Sequence, residues 1–170
     1  MDRSDPAASK ASFAPEADPR ARVLVLGSLP GEISLRRGQY YANPQNQFWR
    51  LMQAVVGVEL DDLPYEARLA ALKSAHVGLW DVIHSAERRG SLDATIRAHR
   101  PNALTELLAG LPELRAVAFN GGKAFAIGRR TLAGEARVEL VPLPSSSPAH
   151  TAPFERKLEQ WMALRRFLQT

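Results

Sequence analysis

The chain has 170 residues, 45% of them hydrophobic and 24% charged, a balance typical of one folded domain rather than of a disordered chain. Its formal net charge is +4, and it has no cysteine, which excludes disulfides, thiolate catalysis and cysteine-ligated zinc or iron–sulfur sites. It shows neither an apolar run long enough for a membrane span nor a signal-peptide pattern, so we expect a cytoplasmic protein with no membrane contact.

In chain order, residues 1–20 are rich in Ala, Ser, Asp and Pro without periodicity, which predicts a flexible tail before a single domain at 21–170. Apolar runs predict buried strands, and apolar stripes at helical spacing predict helices between them. The predicted strands are 23–26, 77–82, 116–119 and 138–143, and the predicted helices are 44–56, 64–74, 101–109, 123–130 and 153–168. This alternation indicates an α/β fold with a small parallel sheet and helices on both faces.

Ligands of such sheets bind outside the carboxyl ends of the strands, so the loops at 27–49, 81–93, 120–123 and 144–150 are the candidate site. Arginine pairs fall in or near these loops and would bind phosphates if they shared one face. The pairs are Arg36 with Arg37, Arg88 with Arg89, and Arg129 with Arg130. The alternative is that they are solvated surface charges.

Several familiar sites fail a motif test. The segment GSLPG lacks the spacing of a dinucleotide-binding turn, and NGGKA lacks the residues of a phosphate-binding loop. The segment PSSSPAH has no nucleophile elbow, which leaves a serine-dependent hydrolase as a remote alternative. The four histidines are scattered without metal-ligand spacing. We therefore expect neither a cofactor nor a metal.

Five segments in a fixed order resemble the uracil-DNA glycosylase superfamily, and most of all its DNA-deoxyinosine (hypoxanthine-DNA) glycosylase branch. They are GSLPG, YYANPQNQFW, GLWDVI, FNGGKA and LPSSSPAH. The resemblance implies a three-layer α/β/α sandwich with a small central parallel sheet. It also implies a monofunctional enzyme that flips a deaminated base, hypoxanthine or uracil, out of DNA and hydrolyses its bond to the sugar. DNA is then the partner, and we expect the chain to act as a monomer.

The resemblance also implies the residues that bind the base. Tyr41 takes the place of the aromatic side chain that stacks on the flipped base, with a core tyrosine as the alternative. Asp81 falls where relatives read the base edge, with a helix cap or a salt bridge as the alternative. The loop of Gly27, Ser28 and Leu29 is expected to add backbone contacts.

Two asparagines are candidates for the catalytic amide. Asn43 precedes Pro44, which suits the first position of a helix, so Asn43 is also expected to cap that helix. Asn46 would then lie in the first turn, where the helix terminus favours an anionic leaving base. Other branches often carry Asp or Asn at the position of Leu29 to orient water, so this chain needs another residue for that role. We rank Asn43 slightly ahead of Asn46.

Candidate DNA contacts complete the predicted site. Ser145, Ser146 and Ser147 suit phosphate binding because short hydroxyl side chains donate at little steric cost. His150 could add charge near the base or a phosphate; the alternative for this loop is a turn before the last helix. The remaining predicted contacts are Arg36, Arg37 and Lys123. The absence of a polar side chain at position 29 also keeps open a nucleic-acid-binding module that has lost catalysis.

Overall fold

A computed structural model of the chain describes residues 8–88 and 90–169. Its strands are β1 (Ala8–Ala11), β2 (Val23–Gly27), β3 (Val77–Asp81), β4 (Ile83–Arg88), β5 (Arg97–Pro101), β6 (Ala116–Asn120) and β7 (Glu139–Leu143). Its helices are α1 (Glu32–Arg37), α2 (Phe48–Val56), α3 (Tyr65–Ser74), α4 (Leu104–Ala109), α5 (Gly122–Thr131), α6 (Phe154–Trp161) and α7 (Arg165–Leu168). Short 3₁₀ turns lie at Asp93–Thr95 and Met162–Leu164. In the described residues no helix combines the length and the apolar character that crossing a bilayer requires.

The four predicted strands form one parallel sheet in the order β3-β2-β6-β7. Strand β2 is completely buried, and successive side chains enter different cores because they point to opposite faces. Val23 and Val25 pack into the core beneath α2, α3 and α6. Leu24 and Leu26 pack into the second core, with residues of α4 and α5. The predicted three-layer α/β/α arrangement is therefore confirmed.

A second, antiparallel sheet in the order β1-β4-β5 was not predicted. The sequence reading treated 81–93 as a loop, but Ile83–Arg88 is a strand that pairs with β1 on one side and β5 on the other. The first residues of the predicted helix 101–109 also belong elsewhere. Pro101 ends β5, and the Asn102 N–H donates to the carbonyl of Val82, so α4 begins at Leu104.

The predicted flexible tail is wrong for residues 8–20, while residues 1–7 lie outside the described residues. Beyond β1, Glu16 and Leu79 exchange backbone hydrogen bonds of 2.9 and 2.8 Å along the outer edge of β3. The Trp80 indole N–H donates to the Phe13 carbonyl at 2.8 Å. Pairing this segment supplies hydrogen-bond partners to a strand edge that would otherwise stay open.

The arginine pairs do not form one basic face. The Arg88 side chain is completely buried, and Arg89 lies outside the described residues. Arg129 and Arg130 are exposed in the last turns of α5, roughly 10 Å along the helix axis from its first turn. Arg36 and Arg37 are exposed in the last turn of another helix, α1.

Candidate active site

A cavity of about 520 Å³ opens at the carboxyl ends of the parallel strands. Its walls come from the loops after β2, β6 and β7, from the segment between α1 and α2, and from the chain between β4 and β5. The chain leaves β2 for β3 on one side and leaves β6 for β7 on the other. Connections that depart in opposite directions leave a crevice between the two strands, which explains the position of the cavity.

Most predicted site residues line this cavity. They are Gly27, Ser28, Leu29, Tyr41, Asn43, Asn46, Asp81, Lys123, Ser145, Ser146, Ser147 and His150. Arg36 and Arg37 do not line it; Arg37 instead borders a neighbouring cavity of about 410 Å³. Loops far apart in the sequence thus meet at one site, and the two arginines stand outside it.

Three polar side chains, Asn46, Asn120 and Ser146, form a continuous chain of hydrogen bonds that we call the amide network. The Asn120 amide donates from Nδ2 to Ser146 Oγ at 2.9 Å, and its Oδ1 accepts from the Ser146 N–H at 2.8 Å. Ser146 Oγ in turn donates to Asn46 Oδ1 at 2.7 Å. Because the hydroxyl accepts from one amide and donates to the other, these bonds polarise and reinforce each other.

The orientation of the Asn46 amide follows from its partners. Its Oδ1 also accepts from the Phe48 N–H at 3.0 Å, so two donors identify this atom as the oxygen. Nδ2 makes no hydrogen bond to any residue the structure describes, and the side chain lines the cavity. The Asn46 NH₂ group can therefore donate to a bound molecule.

Asn43 lies at the same cavity but is held differently. Among the described residues its Oδ1 accepts only from the Gln45 N–H, at 2.9 Å, in a local turn at the surface. The predicted capping role is wrong, because α2 begins at Phe48 with Gln47 at its N-cap. The Gln47 N–H donates to the Ser146 carbonyl at 3.0 Å, a tertiary contact that replaces the predicted first helical turn.

Tyr41 has features of both predicted roles, the core tyrosine and the aromatic side chain at the base-binding cavity. Its ring stacks on Phe48 with centroids 3.9 Å apart and planes 19° apart, and it also lines the cavity. Its hydroxyl is buried without a hydrogen-bond partner of good geometry among the described residues, although the Asn120 amide is near. Burial raises the pKa of Tyr41, the Asp81 carboxylate adds to the rise, and Asn120 opposes it.

Asp81 is a buried carboxyl group at the end of β3. Its Oδ2 has no hydrogen-bond partner in the part of the chain described, and neither a helix cap nor a salt bridge involves this residue. Burial raises the pKa of Asp81 to about 7; the Asp93 carboxylate adds to the rise and the Arg88 guanidinium opposes it. A Cβ atom at Gly27 would lie 2.7 Å from Asp81 Oδ1, so only glycine permits this placement.

Asp81 belongs to a cluster with Ser28, Arg88 and Asp93 that we call the acidic wall. Ser28 Oγ lies 2.7 Å from both carboxylate oxygens of Asp93 and donates to them. Arg88 Nη1 lies 3.7 Å from Asp93 Oδ1. Burial raises the pKa of Asp93, whereas the Ser28 hydroxyl, Arg88 and Lys123 lower it. The buried guanidinium thus favours the ionised form of both carboxyl groups.

Arg88 also positions the loop after β2. Its guanidinium donates to the carbonyls of Leu29, at 3.1 Å, and Pro30, and its Nε donates to the Gly90 carbonyl at 3.0 Å. Sequence reasoning missed the roles of Arg88 and Asp93, because Arg88 stands in a polar stretch that resembles an exposed loop. The one sequence feature that could have indicated these roles is that the stretch directly follows a buried strand.

The loop after β7 presents the three predicted serines differently. Ser146 is buried in the amide network. Ser145 Oγ accepts from the Ser147 N–H at 3.1 Å, and Ser147 Oγ accepts from the Ala149 N–H at 3.2 Å. Both hydroxyl groups retain a proton to donate, as binding a phosphate oxygen requires. His150 is exposed at the cavity rim, and Lys123 is half-buried there.

The profile of the Uracil DNA glycosylase superfamily matches residues 14–168. The chain belongs to the uracil-DNA glycosylase superfamily. It is 38% identical over 157 residues to a hypoxanthine DNA glycosylase of Methanosarcina acetivorans, covering 91% of this chain and 97% of the relative. It is 42% identical over 115 residues to a hypoxanthine DNA glycosylase of Methanosarcina barkeri, covering 68% and 73%.

A solved structure agrees with this assignment to the uracil-DNA glycosylase superfamily. A protein of Methanosarcina acetivorans, determined by solution NMR and provisionally named a uracil DNA glycosylase, superposes with a TM-score of 0.86 at 38% identity. The match covers 96% of this chain and 100% of the other. The fold and the family inferred from the five sequence motifs are both confirmed, and this chain is a DNA glycosylase by family.

Proposed function

We propose that this chain excises hypoxanthine from DNA after flipping the deaminated nucleotide into the cavity, and that it accepts uracil as a second substrate. The observation that supports this most is the buried Asp81 carboxyl, whose Oδ2 lacks a partner at the cavity. A buried acceptor without a partner is costly unless a ligand supplies the missing donor. Hypoxanthine supplies one at N1–H, and uracil supplies one at N3–H.

The same carboxylate would disfavour the base from which hypoxanthine forms. Adenine presents an acceptor at ring atom N1, and an ionised Asp81 would meet it with a second acceptor. Two facing acceptors with no proton between them leave both buried groups unpaired, which is how a site rejects a near-isostere. Two relatives at 38% and 42% identity are named hypoxanthine DNA glycosylases, which supports the choice of hypoxanthine as the first substrate.

We infer that Asn46 supplies the catalytic amide, which reverses the order of preference drawn from the sequence. The amide network holds the Asn46 carbonyl oxygen with two donors, so its NH₂ group is preorganised. A preorganised donor stabilises charge as it develops on the departing base or on the attacking water, without reorganisation during the reaction. Asn43 has no comparable support, because in the described part of the chain its side chain bonds only within its own turn.

Leu29 is consistent with this assignment. It stands where other branches place a polar residue, and its buried side chain contributes no hydrogen-bonding group. The reaction we propose is hydrolysis through an oxocarbenium-like sugar. The base leaves as an anion, and water adds to the anomeric carbon. No lysine stands in the first or last motif to form a Schiff base, so the product is an abasic site with an intact strand.

The test is a glycosylase assay on duplexes that contain one deoxyinosine or one deoxyuridine, followed by alkaline cleavage of the abasic product. We expect release of hypoxanthine, slower release of uracil and no release of adenine. Strand cleavage before alkali would overturn the monofunctional mechanism. Salt-dependent DNA binding without release of either base would instead identify a binding module.

A further inference from the structure

Lys157 is a buried cation that the proposed reaction does not use. It lies on α6, and only 1% of the residue is exposed. Its ammonium donates to the Ser147 carbonyl at 3.3 Å, the one hydrogen bond it makes among the described residues. No carboxylate in the described part of the chain forms a salt bridge with it. Burial lowers the pKa of Lys157, and no described anion offsets that effect.

Such a group is costly in the protein alone. A buried ammonium loses its hydration, and two of the three Lys157 N–H groups gain no partner among the described residues in exchange. The Ser147 carbonyl does not need this donor, because it also accepts from the His150 N–H at 3.0 Å. Replacing a buried ionic group by an apolar side chain of similar volume is often neutral or stabilising. An anion from outside the chain would balance the charge of Lys157.

Helix α6 holds the loop after β7 at two backbone carbonyl groups. The Trp161 indole N–H donates to the Pro144 carbonyl at 2.9 Å, and Lys157 donates to the Ser147 carbonyl three residues later. These contacts direct the two carbonyl groups at the helix. On the other side of the loop, Ser145 and Ser147 line the cavity. Lys157 therefore lies behind the part of the loop whose hydroxyl groups suit a phosphate.

A phosphate bound by the Ser147 hydroxyl would be close to this buried charge. The bonds of a single residue separate the Ser147 carbonyl oxygen from its Oγ, so the phosphate would lie within about 10 Å of Lys157 Nζ, the range over which charges interact at roughly 0.1 M salt. Burial reduces the screening further. Ser147 Oγ accepts from the Ala149 N–H and keeps its own proton, so it can donate to the phosphate while Lys157 balances the negative charge.

We propose that Lys157 is a positioning residue that holds the Ser147 carbonyl against α6 and balances the charge of a DNA phosphate on the other side of the loop. The protein without DNA then carries an uncompensated buried charge, which the bound strand neutralises. The proposal rests on the proposed function in one respect, because it needs a DNA strand to lie across this cavity. It does not depend on which base is released.

The first experiment compares stability and DNA affinity in the same variants. Lys157→Met keeps the length of the side chain and removes its charge. Arg156→Met is the matched control, because it removes an exposed cation from the adjacent position of α6. Affinity is measured for a duplex that contains one tetrahydrofuran abasic analogue, so no base release is needed.

We expect Lys157→Met to melt at the temperature of the unaltered protein or above it. It should nevertheless bind the abasic duplex about tenfold more weakly, at the low end of what close charge pairs contribute at interfaces. Arg156→Met should bind within about twofold of the unaltered protein. A lowered melting temperature in Lys157→Met would show that the lysine stabilises the protein without DNA, and the proposal would be overturned. Unchanged affinity, or an equal loss in Arg156→Met, would overturn it as well.

A thermodynamic cycle then identifies the phosphate. Methylphosphonate linkages, which carry no charge, replace the phosphates on either side of the abasic analogue one at a time. At the linkage that Lys157 balances, Lys157→Met and the methylphosphonate together should weaken binding no more than either change alone. Ser147→Ala should show the same coupling at the same linkage. Additive losses with Lys157→Met at every linkage would overturn the proposal, because a lysine that only supports the fold would not couple to one phosphate.

Base release is measured separately, on the same duplex with deoxyinosine in place of the analogue. If the unaltered protein shows the coupling but releases no hypoxanthine, the proposed function fails and the role of Lys157 stands. If hypoxanthine is released and the coupling is absent, the role of Lys157 alone fails.

Discussion

The two sides of the cavity present hydrogen-bonding groups of different chemistry. The amide network is neutral, and its three side chains satisfy one another through hydrogen bonds of 2.7 to 2.9 Å. The acidic wall contains two carboxyl groups and a buried guanidinium, and one carboxyl oxygen of Asp81 lacks a partner. One side offers a ligand a donor, the Asn46 NH₂ group, whereas the other offers it a buried acceptor, Asp81 Oδ2.

Under the function proposed above, this difference separates catalysis by the amide network from recognition by the acidic wall. Amides and hydroxyls do not titrate between pH 4 and 9, so the amide network should act in the same way throughout that range. Burial raises the pKa of Asp81 to about 7, so its hydrogen-bonding character changes near neutral pH. We expect substitutions in the amide network to alter rate without altering pH dependence, and substitutions in the acidic wall to alter both stability and pH dependence.

The largest effect on stability is expected from Arg88→Met. The change leaves the buried carbonyls of Leu29 and Pro30 without the guanidinium donor, and unsatisfied groups of this kind cost about 1 to 3 kcal/mol each. The Gly90 carbonyl keeps its hydrogen bond from the Lys10 ammonium. We expect the free energy of unfolding to fall by about 3 kcal/mol or more. Denaturant titration measures it.

Arg88→Lys, which keeps the charge but loses the planar fork, should recover part of the loss. If Arg88→Met lowered the free energy of unfolding by less than about 1 kcal/mol, water would be shown to replace the guanidinium. The loop after β2 would then be held by other contacts, and the acidic wall would need no buried cation.

The next largest effect is on rate and lies in the amide network. Asn46→Ala should slow single-turnover excision of hypoxanthine about 100-fold or more, because it removes a preorganised donor. Asn43→Ala is the matched control at the same cavity. Its rate should stay within about threefold of that of the unaltered protein, because losing a transition-state contact would lower the rate much more than that. If Asn43→Ala were the slower variant, the sequence-based order would be right and Asn46 would be a structural residue.

The pH dependence of Asp81 is expected to be a smaller effect. Its folded pKa of about 7 is above the ordinary value of 3.8, so its contribution to stability is fully present below pH 4 and is lost as pH rises through 7. Between pH 5 and 7 the free energy of unfolding should fall by up to about 1.4 kcal/mol per pH unit. The Asp81→Asn variant should show a shallower fall, which melting temperatures at fixed ionic strength would measure.

The rate should move the opposite way, because the ionised carboxylate is the form that accepts the N1–H of hypoxanthine. Single-turnover excision should therefore increase through pH 7 and lose that increase in Asp81→Asn. A rate that instead decreased through pH 7 would mean that protonated Asp81 donates to the base, and the proposed selection against adenine would be lost.

The smallest effect is expected from Tyr41→Phe. The hydroxyl is buried without a well-formed hydrogen bond among the described residues, so its removal should change the free energy of unfolding by less than about 1 kcal/mol. Excision should be nearly unchanged, because the ring and its stack on Phe48 remain. Tyr41→Ala removes the ring and should slow excision about tenfold. A large loss in Tyr41→Phe would show that the hydroxyl contacts the substrate.

The parallel sheet could be predicted because its evidence is local. A strand buried on both faces reads as a continuous apolar run, and the four runs near residues 23, 77, 116 and 138 became four strands within one residue of their predicted bounds. Asn46 and Ser146 of the amide network were named from the sequence in the same way, whereas Asn120 was not. The loops that carry them follow those strands directly, and the carboxyl ends of parallel strands share one edge.

The tertiary structure decided what depends on distant pairings. Strand β4 is polar, and it becomes a strand because β1 supplies hydrogen-bond partners from more than 70 residues earlier in the chain. Helix α2 begins at Phe48 because Gln47 bonds to Ser146 and Asn46 to the same serine, about 100 residues away. Local periodicity reports which face of an element is apolar, but it does not reveal which distant backbone groups will satisfy one another. The acidic wall depends on such pairings, so only the folded chain could show it.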